Sequence, residues 1–346
     1  MARVSTTLQS FFRHPHAYYG YISGAIAGMS MVTLGLQLPN FQPAEMLISF
    51  LPLWFFCETI TLLVAFGWTS FYHQRPLRIR MVSGLLLLAM LLHWGYQGAL
   101  ILDHAYPQYL YSNVWQPKIE APLSAQKIRI AFFNKYYFNQ EYQEISQRII
   151  DLGIDVIGMS EISEIDYQEM KKRLPFQYSY YTNCHCKSSI GSELALFSHY
   201  PLDSVITNQL PASPSIKATV STGTSAFSLL VLHTHAPTSG EELAQRNKTL
   251  TALGNQIHTD QSQPLVVMGD LNTSNWSAIY RSLLKSNPHI RDVARGSGLL
   301  STWNTSIFET AIDHMWMSNT ITVNSFTING GKMGSDHHMI WSEIQL

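Results

Sequence analysis

The stretch VVMGDLNTS, Val266 to Ser274, stops a short apolar run on a carboxylate, Asp270, and sets a carboxamide, Asn272, two residues further on. Side chains two apart on a strand share a face, so both groups would project together from a rigid support just before a turn. Gly, Asp and Asn also build ordinary turns, and GDLN alone is compatible with no more than that. Other apolar runs end in the same kind of cargo: IRIAFFN at Asn134, IDVIGMSE at Glu161, and FSLLVLHTHAP at His233 and His235. Towards the carboxyl terminus, AIDHMWMS presents Asp313 and His314, and GSDHHMIW presents Asp336, His337 and His338. Carboxylates and amides are hard oxygen donors suited to Mg²⁺ or Mn²⁺. A histidine beside a carboxylate can be oriented and charged for work on an anion. Such a set suits metal-assisted attack of water on a phosphate ester.

Alternating strands and helices must bring these ends together. Tyr142, Ile145, Ile149 and Leu152 in EYQEISQRIIDLG have helical spacing, and Gly153 is placed to end the helix. Ser239 and Glu242 read as a capping box for a second helix, with Leu243, Leu250, Leu253 and Ile257 inward. A third helix follows Asn272, with Trp276, Ile279, Tyr280, Leu283 and Leu284 on one side, and the final stretch returns to strands. Two packed sheets with helices outside fit this pattern, as does one doubly wound sheet; periodicity does not choose between them.

Taken in order, Asn134, DVIGMSE at Glu161, THAP at His235, GDLNTS at Asp270 and Asn272, IDHMWMS at Asp313, and GSDHHMIW at Asp336 and His337 resemble the endonuclease/exonuclease/phosphatase superfamily, the DNase I-like fold. The resemblance covers roughly Ile128 to Leu346. It implies an α+β class, four-layer αββα sandwich with the site at one edge. It also implies roles: Glu161 as principal metal ligand, Asn134 supporting metal and catalytic Asp, and Asp270 positioning or deprotonating the attacking water. Asn272 would bind the scissile phosphate, and His337 would polarise it while Asp313 orients the ring. Asp336 would be a second carboxylate near the metal, and His235 a phosphate contact or acid for the leaving group. Two departures stand out. Tyr136 occupies a position where many nucleases of the family carry Asp, and THAP replaces the commoner THL, which makes His233 a rival to His235. Trp303 resembles an aromatic that walls the substrate pocket in relatives. His314 and His338 differ in strand parity from Asp313 and His337 and read as ordinary polar residues.

Charge is distributed unevenly. Of 22 Lys+Arg only Arg3, Arg13, Arg75, Arg78 and Arg80 precede residue 105, and of 23 Asp+Glu only Glu45, Glu58 and Asp103 do. The remainder carries 17 basic against 20 acidic residues, which offers no general basic face to a nucleic-acid backbone. Three nearly uncharged runs, Ala17–Gln42, Met46–Tyr72 (broken by Glu58) and Met81–Leu102, lead to an expectation of three transmembrane helices and a bilayer partner. The expected organisation is a membrane domain at 1–104, a linker at 105–126 holding Pro107, Pro117 and Pro122, and a catalytic domain at 127–346. Arginines before the first run and between the second and third put the amino terminus in the cytoplasm and the catalytic domain outside the cell (inner) membrane. Glu58 is costly in a bilayer unless it faces a partner. Cys57 reads as a small hydrophobe, whereas Cys184 and Cys186 in NCHC can pair in an oxidising compartment, bind a soft metal with His185, or serve a structural or incidental role.

The sequence thus reads as a membrane-anchored, divalent-metal-dependent phosphoester hydrolase, with lipid, nucleic-acid and small phosphodiester substrates all open. A second reading makes the amino-terminal third a scaffold or sensor carrying an inactive phosphoester-binding domain. No protein partner is specified.

Overall fold

The computed structural model describes residues 42–69, 77–106, 126–186, 191–304, 309–328 and 330–346. Three helices come first: α1 (Gln42–Ile48), α2 (Leu51–Thr69) and α3 (Leu77–Ala105). Then follow β1 (Lys127–Asn134), α4 (Tyr142–Asp151), β2 (Val156–Ser160), α5 (Glu164–Arg173), β3 (Tyr178–Asn183), β4 (Glu193–Ser198), β5 (Leu202–Thr207), β6 (Ser215–Ser221) and β7 (Ala226–His233). The chain continues through α6 (Gly240–Thr259), β8 (Leu265–Asp270), α7 (Ala278–Ser286), β9 (Ile290–Asp292), β10 (Trp303–Asn304), β11 (Glu309–Thr310), β12 (Asp313–Ser318), β13 (Thr322–Thr327) and β14 (Ile340–Gln345).

Local chemistry sets the helix ends. Ile145 and Ile149 of α4, one turn apart, are buried, and Gly153 follows with φ +60, a backbone angle that a residue without Cβ adopts at no steric cost. Ser163 and Asp166 form a complete capping box on α5. On α6 only half of the expected box exists: Ser239 Oγ accepts from the Glu242 N–H, while the Glu242 carboxylate takes the Thr238 hydroxyl instead.

Two six-stranded sheets form, ordered β13-β14-β1-β2-β4-β3 and β5-β6-β7-β8-β12-β9. Alternate residues of each sheet point into the space between them, where Phe132, Leu196, Val231, Met268, Met315 and Ile340 belong to one buried cluster. The opposite face of the first sheet packs Phe133, Ile157 and Met159 with Ile149 of α4 and Met170 of α5. The opposite face of the second packs Leu232, Val267 and Trp316 with Leu250 and Leu253 of α6 and Tyr280 of α7. The result is helix, sheet, sheet, helix: the DNase I-like αββα sandwich, not a single doubly wound sheet.

Both sheets are built around one parallel pair with a crossover helix, β1-α4-β2 in the first and β7-α6-β8 in the second. Each pair is flanked by an antiparallel neighbour, β14 beside β1 and β12 beside β8. Strands that run one way end where their antiparallel neighbours begin, so residues far apart in sequence collect at one rim. In register, His233 lies opposite Asp270, and Asp270 opposite Asp313. Gly269 makes the closest of these approaches, because a Cβ there would collide with the Leu232 carbonyl on β7.

The chain divides into two units: Phe50–Leu102 belongs to one, while α1 groups with Asp103–Leu346 in the other. The expectation of three transmembrane helices is corrected in part. The first run lies outside the described residues apart from Gln42, and among the described residues no helix is long and apolar enough to cross a membrane. Polar residues interrupt the other two runs, Glu58 in α2 and His93 and Gln97 in α3, and Arg78, Arg80 and Asp103 flank the last of them within its helix. Glu58 is fully buried and partnered, accepting from Gln97 Nε2 at 2.9 Å with His93 Nδ1 at 3.3 Å. Outward from this seam, Leu53, Phe56, Ile60 and Leu63 of α2 and Leu85, Leu88 and Leu92 of α3 are exposed.

Candidate active site

Asn134 is the hub of the rim. Its carbonyl oxygen, Oδ1, accepts the Tyr136 N–H at 3.0 Å, which turns Nδ2 toward two acids. Nδ2 donates to Glu161 Oε1 at 2.9 Å and to Asp270 Oδ2 at 3.0 Å, so one amide spans the two sheets. Glu161 follows β2 with φ +53 and Asn272 follows β8 with φ +45, left-handed angles that cost non-glycine residues on the order of 1–3 kcal/mol each. Packing elsewhere holds both side chains in these positions. The Glu161 Oε2 atom accepts the Tyr137 N–H at 3.1 Å. Asn272 Nδ2 donates to the Thr234 carbonyl at 3.1 Å and lies 3.4 Å from His233 Nε2.

Across from this pair, His337 Nδ1 meets Asp313 Oδ2 at 2.8 Å, leaving Nε2 3.8 Å from Asp270 Oδ2. All three of these residues are buried. Burial first, then the Asp313 carboxylate, pushes Asp270 up to about 7, against His337, the Asn272 N–H and the Asn134 amide, which pull it down. Burial also works against a charged His337, but Asp313, through its charge and hydrogen bond, then Asp270 and Asp336, raise the imidazole to about 10. At neutral pH the pair is therefore an imidazolium held by Asp313 beside a carboxyl poised to gain or lose a proton.

The structure brings Asn134, Glu161, Asp270, Asn272, Asp313 and His337 together. His233 joins them, 3.6 Å from Asp270 Oδ2 and 3.9 Å from Glu161 Oε1, because it is the last residue of β7 and pairs with Asp270. His235 is buried two residues beyond that strand end, and it is His233 that stands in the carboxylate contacts. Asp336 sits at the edge: its Oδ2 accepts Trp303 Nε1 at 2.8 Å, which fixes the half-buried indole beside His337. Tyr136 faces solvent at 39% exposure and packs edge-on against Phe138. His314 gives Nε2 to the Thr273 carbonyl at 2.7 Å and lies against Tyr280, as a core residue does. Cys184 and Cys186 are joined by a disulfide.

Two ligand sets emerge, Glu161–His233–Asp270 and Asp270–Asp313–His337, each with donor atoms within 4.8 Å of one another. The first fits a divalent cation: two carboxylate oxygens and an imidazole converge where Asp270 carries a negative charge that its surroundings oppose. Asn134, whose oxygen is already engaged, acts as a brace for these ligands. The second set is an acid–histidine pair with its proton already placed.

Two supporting residues escape a reading by motif. Lys135 is fully buried, and its ammonium donates to the carbonyls of Tyr136, Tyr137 and Asn139 at 3.1, 3.2 and 2.8 Å, with Asp166 Oδ2 at 3.1 Å. It folds the turn that aims the Tyr137 N–H at Glu161. Arg246 is buried on α6, and its Nη1 donates to the Asn272 carbonyl at 2.9 Å. The sequence does carry one signal for it, a charge on the inward stripe of Leu243, Leu250, Leu253 and Ile257.

Residues 130–337 match the profile described as the Endonuclease/Exonuclease/phosphatase family. A search of the curated proteins finds no match to the chain. Among solved structures, the chain is similar to the human Nocturnin catalytic domain with bound sulfate anion, at 19% identity and TM-score 0.51, covering 63% of this chain and 94% of that one. It is similar to D. rerio TDP2 complexed with single strand DNA product, at 15% identity and TM-score 0.53, covering 64% and 100%. A mannosyl-6-phosphatase of Bacteroides thetaiotaomicron gives 17% identity and TM-score 0.50, covering 63% and 100%. At these identities the likeness is one of fold.

Proposed function

The chain belongs to the Endonuclease/Exonuclease/phosphatase family, and from that premise we propose that it is a divalent-metal-dependent phosphoester hydrolase attached to a membrane. The observation that carries this reading is the Asn134 amide shared between Glu161 and Asp270, with the Asp313–His337 pair facing them. A Mg²⁺ or Mn²⁺ ion held by Glu161 and Asp270, with His233 at its side, would supply positive charge for the phosphoryl oxygens and the leaving oxygen. Asp270 aligns a water for in-line attack and accepts its proton. Asn272 donates its amide to the scissile phosphate, and the His337 imidazolium stabilises charge as it develops. The roles of His235 and Asp336 on this reading are peripheral: a neighbour of the phosphate and an anchor for Trp303.

An anion is common to what the similar structures hold or are named for: sulfate in one, a DNA product in another, a phosphatase in the third. From residue 105 onward acids outnumber bases 20 to 17, which disfavours a long polyanion and favours a lipid or small phosphodiester. Membrane attachment is supported by the exposed Leu and Phe rows of α2 and α3, apolar surface of a kind that water-facing helices rarely present. Arg3 and Arg13, ahead of the first uncharged run, favour a cytoplasmic amino terminus in the cell (inner) membrane, and the Cys184–Cys186 bond suits an oxidising, extracytoplasmic compartment for the catalytic unit.

Purified full-length protein is expected to hydrolyse bis(p-nitrophenyl) phosphate with Mg²⁺ or Mn²⁺, and to stop with a chelator. Equal rates for wild type and Asp270→Asn would return the catalytic unit to the scaffold reading. The same preparation tested on phospholipids, nucleotides and DNA decides the substrate class. A reporter fused after Leu346 and active in the cytoplasm would overturn the topology.

A further inference from the structure

Helix α1 is seven residues long and lies at the junction of the chain's first two hydrophobic runs, yet it groups with the catalytic unit. Both of its ends are pinned there. Gln42 Nε2 donates to the Pro237 carbonyl at 3.0 Å, and Thr310 Oγ1 donates to the carbonyl of Ser49 at 2.7 Å. Between these ties Glu45 is buried, with Oε2 2.9 Å from Arg246 Nη2. Ser277 Oγ donates to the same carboxylate, at 2.9 Å to Oε2 and 3.1 Å to Oε1. Arg246 is itself 1% exposed, and all three nitrogens of its fork are engaged: Nη2 reaches Glu45, Nε and Nη2 reach Asn247 Oδ1 at 3.2 and 2.9 Å, and Nη1 reaches the Asn272 carbonyl at 2.9 Å.

We propose that Glu45 is a positioning residue of the active site: it clamps Arg246, which in turn holds the Asn272 backbone in its left-handed turn and so aims the Asn272 amide at the substrate. The physical case is one of matched charge and fixed direction. A buried guanidinium without a carboxylate partner seeks another, and the acids nearest the Asn272 turn are those of the catalytic cluster. With Glu45 in place, one prong of the planar fork is committed away from the cluster, and the prong that remains points at a neutral carbonyl. Asn272 at φ +45 lies in the left-handed region, which Asn tolerates better than other residues with a Cβ, and the Arg246 bond to its carbonyl fixes it there. The amino-terminal third thereby contributes a side chain to the working geometry of a domain that begins some eighty residues later in sequence.

The proposal rests on the hydrolase reading for its rate consequences, and a second readout separates the two. Glu45→Gln in the full-length protein keeps volume and an acceptor for Ser277 but removes the charge. Hydrogen exchange of the peptide spanning 270–277 is expected to quicken at least several-fold, with kcat/KM on bis(p-nitrophenyl) phosphate falling about ten- to a hundredfold. In an Asn272→Ala background the same change is expected to cost less than threefold, because its route through Asn272 is already gone. Glu45→Asp is expected to recover part of both signals. Unchanged exchange in 270–277 for Glu45→Gln, or a rate loss that simply multiplies with Asn272→Ala, overturns the proposal and leaves α1 as packing. A wild-type protein with no hydrolase activity would sink the hydrolase reading alone, and exchange would still decide the role of Glu45.

Discussion

Replacing Asp270 by Asn separates what the residue does for catalysis from what it costs the fold. Burial and Asp313 raise this carboxyl from 3.8 to about 7. A group whose pKa is higher folded than unfolded favours the fold most below its unfolded value and loses that contribution as pH rises through its folded value. Over about three units this amounts to about 4 kcal/mol, of which roughly 1.5 is spent by about pH 5 and the rest between there and about pH 8. Asn has no such titration. In the presence of a chelator, the melting temperature of Asp270→Asn relative to wild type is therefore expected to climb with pH. A change of about 2–3 kcal/mol corresponds to about 5–10 °C in a unit of this size. Added Mg²⁺ should narrow the gap by stabilising wild type above about pH 7, while the variant loses about 10²–10⁴-fold in turnover. Calorimetry at several pH values with chelator and with Mg²⁺ reads all of this. A gap that stays constant from about pH 5 to about pH 8 would refute the claim that Asp270 is strained by its charge, and with it the electrostatic case for a cation there.

Other expectations follow from the same rim. Asp313→Ala removes the main support for the His337 proton, and burial then drives the imidazole down; the alkaline limb of the pH–kcat profile, set near about 10 by His337, should move to near or below 6.5. His233→Ala is expected to lower kcat/KM by about 10²-fold or more, whereas His235→Ala should lower it by less than about tenfold; steady-state kinetics on both variants tests which histidine serves the site. Gly269→Ala forces a Cβ against the Leu232 carbonyl and should lower the urea midpoint by an amount worth about 2–3 kcal/mol, with activity falling in step as β7 and β8 part.

Much of this rim can be read from the chain because strand ends are punctuated by polar residues that an apolar run does not need. Asn134, Glu161, Asp270 and Asp313 each interrupt such a run, and each lies at or next to the end of a strand. The two histidines of HTHAP, His233 and His235, share strand parity, so alternation has no power to choose between them; the end of β7 and its pairing with β8 favour His233. The order of the two sheets is also beyond periodicity, since it depends on which strands pair across more than a hundred residues, as β1 and β14 do. Lys135 and Glu45 look like ordinary surface charges in sequence, and only burial with specific partners gives them meaning. The amino-terminal runs rest on the scarcity of charged residues, a criterion that counts Glu58 but passes over the polar seam it forms with His93 and Gln97.

The insertion of β14 between β13 and β1 has a consequence for the timing of activity. A chain made from its amino end exposes Asn134, Glu161, Asp270 and Asp313 well before residue 337 exists, and the slot beside β1 stays open until β14 fills it. An unfinished polypeptide therefore holds most of the acids but not the imidazolium that works with them. On the proposed hydrolase reading, activity would begin only once β14 has been made and has closed the first sheet beside β1.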